Sequence, residues 1–318
     1  MSSVAAMRRI VPLRLGVGAL AAVALATACG QAKPVEIRGN SLALVDAHSG
    51  KVVADVPVGR DPTRVAYGQG AFWVVSPEAG VVFRVDADTK KASRFRIGTD
   101  PYDVAVGAGA LWVPDHDGQR LFRFDLESHA LRETRNLGVP AISVGFGFRS
   151  VWLALADGRL LRVDPRTLSV EKSIPDATTA IEGSEPKLAF DRGATWISSP
   201  AESSLTRIDP VRGTVHRRIL TGATGISAGA SAIWVADDQG AIWRFGAGRS
   251  QRIEVGSQAQ DIAATSKSVW VVGNGPQRLM RIDPASRRVR ARIRLGHHPI
   301  AVAAGGNVVA VALLGTSP

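Results

Sequence analysis

The side chains in this sequence that could move protons or hold a cation are few. Of six histidines, His48 and His129 fall in turns and His216 begins a strand, whereas His116, His297 and His298 are expected on one common face. His116 stands between Asp115 and Asp117, and an imidazole among carboxylates offers general acid–base chemistry or mixed nitrogen and oxygen ligation of a hydrated ion. No His-x-x-x-His pair with Glu is present. The single cysteine, Cys29, excludes an internal disulfide and a paired-cysteine redox centre.

A second set of polar residues is defined by position. Arg64, Asp103, Ser143, Lys187, Gly225, Asp261 and Ala301 each stand nine residues before a recurring landmark, which is Trp73, Trp112, Trp152, Trp196, Trp234, Trp270 and finally Ala310. The landmarks are 39, 40, 44, 38, 36 and 40 residues apart. Such a period marks a repeat architecture, and copies that differ at one fixed place mark where specificity would reside. Arg64, Asp103, Ser143, Lys187 and Asp261 are therefore the ligand-binding candidates, expected to ring one mouth of a central channel.

Each repeat holds four short strands, for example Pro101 to Gly107, Ala110 to Pro114, Arg120 to Asp125 and Leu131 to Leu137. The chain starts with a third and an outer strand, Ser41 to Asp46 and Lys51 to Val58, and ends with an inner and a second one, Pro299 to Ala304 and Val308 to Leu313. These halves predict an all-β seven-bladed propeller of four-stranded antiparallel blades, one blade being shared by the two ends so that no sheet edge stays open. The repeated Trp reads as core that fills the wedge between blades. Arg-x-Asp recurs at Arg84/Asp86, Arg123/Asp125, Arg162/Asp164, Arg207/Asp209 and Arg281/Asp283. In each copy the Asp is expected to cap the following turn and the Arg to bond the neighbouring blade.

Residues 1–28 read as a signal peptide, 29–40 as a tether and 41–318 as the propeller. Arg8, Arg9 and Arg14 precede an apolar run from Leu15 to Leu25 that is short for a membrane span. The run ends in Ala26-Thr27-Ala28-Cys29-Gly30, which resembles a bacterial lipobox, with its leucine one place earlier than that family usually has it. The resemblance implies lipidation of Cys29, and buried acyl chains, at about 0.8 kcal/mol per methylene, would hold the protein on a membrane. The formal charge of +11 becomes +8 once the three leader arginines leave. Acidic loop residues gather toward the mouth face. Basic ones gather on the opposite turns and outer strands, where they would face anionic headgroups or wall polymers.

Segments such as Gly109-Ala-Leu-Trp-Val113 and Leu205-Thr-Arg-Ile-Asp-Pro210 resemble the YVTN-type propellers of bacterial surface proteins and the related streptogramin (virginiamycin B) lyase repeats. The likeness spans nearly the whole chain after the leader. For the lyases it implies elimination chemistry with histidine and magnesium on the mouth face, but their Gly-Pro-Asp-Gly turn is replaced here by Gly-Gln-Gly-Ala or Gly-Ala-Gly-Ala. The expectation is an extracytoplasmic lipoprotein on the bacterial cell membrane, monomeric, with no cofactor, no metal and no catalytic residue. It would bind a protein, peptide or envelope polymer, and no nucleic acid. The alternative is a lyase-like or other metal-assisted enzyme using His116, His297 and His298, the one case in which a divalent metal enters.

Overall fold

A computed structural model describes residues 34–134, 136–179, 185–191, 193–273 and 275–315. The signal segment and Cys29 lie outside the described residues. Seven four-stranded antiparallel sheets follow one another along the chain. Numbered from the first inner strand, blades 1 to 6 comprise residues 64–96, 105–133, 141–174, 187–219, 223–254 and 259–294. Second strands such as Ala71–Ser76 are apolar runs buried along their whole length, because both faces of a blade pack on neighbours. Outer strands such as Ala92–Arg96 are mostly exposed and polar.

Blade 7 is assembled from both ends, in the order Val52–Pro57, Ser41–Asp46, Val308–Leu313, Pro299–Gly305. Val45 stands opposite Val309 and Leu42 opposite Ala312. Leu42, Leu44 and Val45 are fully buried in this seam, each contributing about 1.5–3 kcal/mol relative to exposure. The inner strand Pro299–Gly305 packs on Arg64–Gly68 of blade 1, which closes the ring.

The Trp, Arg and Asp of each repeat form one unit. Trp73, Trp112, Trp152, Trp234 and Trp270 are at most 2 % exposed. The antiparallel register sets Arg84 directly across from Trp73, and the same pairing recurs at Arg123/Trp112 and Arg162/Trp152. The guanidinium therefore lies over the indole, 5.6–6.0 Å from its centroid in six blades. This stacking within a blade replaces the expected bond to the next blade, which among the described residues survives only in Arg162 to the Pro210 carbonyl and Arg281 to the His48 carbonyl. The Asp forms the expected turn: Asp86 accepts from the amides of Asp88 and Thr89, and Asp164 from those of Arg166 and Thr167.

These turn bonds act only on ionised carboxylates. They hold Asp86 and Asp125 down to about 2, chiefly through the Thr89 and Ser128 amides, and they also lower Asp46, Asp164, Asp209 and Asp283. A carboxylate with a depressed folded-state pKa stabilises above its unfolded value and loses that contribution as pH falls through the folded one. Stability is expected to drop between about pH 4 and about pH 2. In Asp86→Asn/Asp125→Asn the fall in thermal midpoint over that window should be visibly shallower, as read by circular dichroism.

Glycines end the inner strands because the next blade presses on them. A Cβ on Gly107 would lie 2.0 Å from Phe146, one on Gly147 2.3 Å from Phe190 and one on Gly305 1.9 Å from Tyr67. In blade 2 the inner strand is shorter than expected, Ala105–Gly107 with an isolated bridge from Pro101 to Asp115, and the outer strand covers only Leu131–Glu133.

Candidate functional site

The start of each inner strand points its side chain into the channel. In four blades the register slips just before the position in question, at Ser143, Gly225, Asp261 and Ala301. A bulge there re-aims the residue that follows it. Arg64, Asp103, Ser143, Lys187 and Asp261 all line one cavity of about 280 Å³ at the ring axis. Gly225 and Ala301 leave the remaining wall without a polar side chain.

The two aspartates lining the channel join neighbouring blades. Asp103 accepts from the Val144 amide at 2.9 Å and the Ser143 hydroxyl at 3.1 Å on blade 3, and from its own neighbour Val104 at 2.8 Å. Asp261 accepts from the Val302 amide of blade 7 at 2.9 Å. Its other oxygen takes the Lys187 ammonium at 2.7 Å, a bond that crosses over blade 5, where Gly225 leaves the path open. Arg64 sits 3.9 Å from Asp103 and 3.3 Å from Glu185, and the Tyr102 hydroxyl donates to the other Glu185 oxygen.

Three carboxylates thus face two cations in a space largely closed to water. Burial raises the Asp103 carboxyl, against the pull of Arg64 and of its three hydrogen bonds. Burial also works against the Arg64 charge, but Asp103, Glu185 and Asp261 outweigh it and hold the guanidinium above its ordinary value. A partner arriving at the mouth meets a preformed pattern of paired charge. Truncating one member leaves the others buried without a counterpart, which is the costly case for such networks.

Outside this floor the rim carries His116. Its Nδ1 lies 3.7 Å from Asp100 and 3.6 Å from Asp117, and its ring stacks on Tyr102 with centroids 5.0 Å apart. One ligand atom from each of Asp100, His116 and Asp117 lies within 4.8 Å of the others, a mixed oxygen and nitrogen set that could hold a divalent ion. Burial and the Asp117 charge raise the Asp100 carboxyl, with His116 opposing. His297 has different surroundings: it contributes to the field at Asp55 on the outer strand of blade 7, and its Nδ1 is buried without a partner. The His298 carbonyl accepts the Leu314 amide. No contact between His116 and either of these histidines occurs among the described residues.

Two acidic residues of the mouth-face loops are internal clamps. Asp115 is 3 % exposed and accepts the amides of Thr99 and Asp100; Asp237 is 2 % exposed and accepts those of Gln239 and Ala241 together with the Trp243 indole. Both stand three residues after the repeat Trp and fasten the mouth-face loops of their blades. Tyr102 escaped attention in the sequence. Its signal is comparative, since the equivalent places hold Thr63, Ile142, Pro186, Thr224, Gln260 and Ile300 and no other aromatic ring.

No family model matches this chain, and no curated protein matches it in sequence. Solved structures resemble it in fold. Hydrazine synthase of Kuenenia stuttgartiensis aligns with a TM-score of 0.66 at 12% identity, covering 80% of this chain and 96% of the other. U3-55K aligns at 0.64 and 10% identity, over 87% and 99% of the two chains. BamB from Moraxella catarrhalis aligns at 0.57 and 13% identity, over 88% and 96%. At these identities the likeness concerns the propeller alone.

Proposed function

We propose that this protein is an exported lipoprotein, anchored through Cys29, that acts as a noncatalytic binding propeller through its channel-mouth face. The reading places it among the YVTN-type repeat proteins, monomeric and extracytoplasmic, with a protein, peptide or envelope polymer as partner. The observation that carries it is the pairing of Arg64, Asp103, Glu185, Lys187 and Asp261. Side chains held this way make a rigid, charge-patterned floor, whereas a general base needs an oxygen free to take a proton.

The test is photocrosslinking in intact cells. A photoreactive residue replaces Asp117 on the mouth face or Arg166 in a turn on the opposite face, each with Cys29 intact or as Cys29→Ala. Discrete adducts from position 117 and none from 166, with Cys29→Ala recovered in the soluble fraction, are expected. Adducts from position 166 alone, or a Cys29→Ala protein still in membranes, would contradict the proposal.

The Asp100, His116 and Asp117 cluster favours a second reading, a lyase-like or other metal-assisted enzyme. These three residues would hold the ion, which when bound would supply Lewis acidity to a substrate carbonyl. Under that reading His116→Ala abolishes turnover. Under the first, the triple change His116→Ala/His297→Ala/His298→Ala leaves the adduct pattern intact.

A further inference from the structure

Four of the six repeat tryptophans share one hydrogen-bond partner, and Trp270 does not. Trp73, Trp112, Trp152 and Trp234 donate their indole N–H to the carbonyl of the glycine five residues earlier, Gly68, Gly107, Gly147 and Gly229, at 2.9–3.3 Å. In blade 6 that place is Thr265. Trp270 is 0 % exposed, and its indole nitrogen has no hydrogen-bond partner. Buried donors are nearly always matched, and this one has no acceptor within the chain.

The adjoining blade has a small residue at the facing position. At that place Tyr67, Val106, Phe146 and Phe190 fill the space beside the end of the preceding inner strand, whereas blades 5, 6 and 7 carry Ala228, Ala264 and Ala304. Thr265 and Ala304 meet in a cleft of about 230 Å³ between blades 6 and 7, on the face opposite the mouth. Trp270 and Ala304 form part of its wall. Every ionisable side chain in that wall is basic, namely His48, Lys267 and Arg281.

Arg281 is held rigidly. It lies over Trp270 at 5.6 Å, donates from Nε to the Ser268 hydroxyl at 2.9 Å and reaches the His48 carbonyl at 3.1 Å. Among the described residues neither Arg281 nor Lys267 has a carboxylate within ion-pair distance, unlike Arg84 and Arg123, which pair with Asp86 and Asp125. An unmatched N–H, a fixed guanidinium and an unpaired ammonium on residues lining one small concavity are complementary to negative oxygen.

We propose that this cleft binds a small oxyanion, a carboxylate or phosphate group, which accepts the Trp270 N–H and is neutralised by Lys267 and Arg281. The site is remote from the mouth and independent of the function proposed above. The test follows the ¹⁵N-labelled indole signals of the full chain in detergent during titration with sodium acetate or inorganic phosphate. Ionic strength is held constant with chloride, and the Trp270 signal is assigned by its absence in Trp270→Phe.

A saturable shift of that one signal is expected, with the apparent Kd raised about tenfold in Lys267→Ala, the equivalent of one charged contact. Saturation by acetate alone identifies a carboxylate site, and by phosphate alone a phosphate site. An unchanged Kd in Lys267→Ala would mean an adventitious ion only. No saturable shift with either anion would mean that water satisfies the indole, and either result overturns the proposal.

Discussion

Replacing Ala43 by proline is expected to abolish cooperative folding of the ring. Ala43 is fully buried in the strand Ser41–Asp46, opposite Asp55 on one side and Val311 on the other. A strand bonded along both edges cannot lose an amide to proline without breaking a ladder, and the pyrrolidine ring would also intrude into packed core. The cost should be on the order of 3 kcal/mol or more. Because this strand alone joins the amino-terminal outer strand to Val308–Leu313, damage here opens the ring as well as weakening one sheet. The same change at Ala92, on an exposed outer strand paired only with the strand containing Val85, should cost less than half as much. Urea unfolding followed by tryptophan fluorescence measures both.

Asp103→Ala is the second large effect. It removes the acceptor of the Val144 amide, the Val104 amide and the Ser143 hydroxyl, and it leaves Arg64 with one fewer counter-charge. Breaking a buried charge network from one side typically costs about 3–5 kcal/mol. Asp103→Asn retains one acceptor oxygen but turns an amide group toward a donor, so it should fall between the wild type and Asp103→Ala in urea midpoint. A loss below about 0.5 kcal/mol, the range of ordinary surface changes, would show that Asp103 does not join blades 2 and 3.

Much of the architecture was legible because each repeat solves the same packing problem with the same residues. One large side chain fills each wedge between blades, so the Trp period reads out the blade number. The turn after each Arg-x-Asp needs a carboxylate two and three residues before its amides, so Asp46 through Asp283 announce the same connection. Most of the arginines stack on Trp in place of bonding the next blade, because the stack depends on hairpin register, which strand assignment alone does not specify. Asp115 and Asp237 resembled surface acids in composition, and only their burial against loop amides distinguishes them. The seven channel positions could be identified by counting, but their pairing could not. Lys187 reaches Asp261 because the channel is narrow and Gly225 leaves the way clear, and channel width is a property of the closed ring that no single repeat encodes.

The account rests on the mouth charges acting as struts that hold the ring and present a fixed surface. A double-mutant cycle on Lys187→Met and Asp261→Ala, read in unfolding free energy, tests this most directly. A coupling of about 1 kcal/mol or more is predicted, within the range for residues in direct contact in one network. Additive losses, with a coupling no larger than about 0.3 kcal/mol, would contradict it and would leave both side chains free for chemistry of another kind.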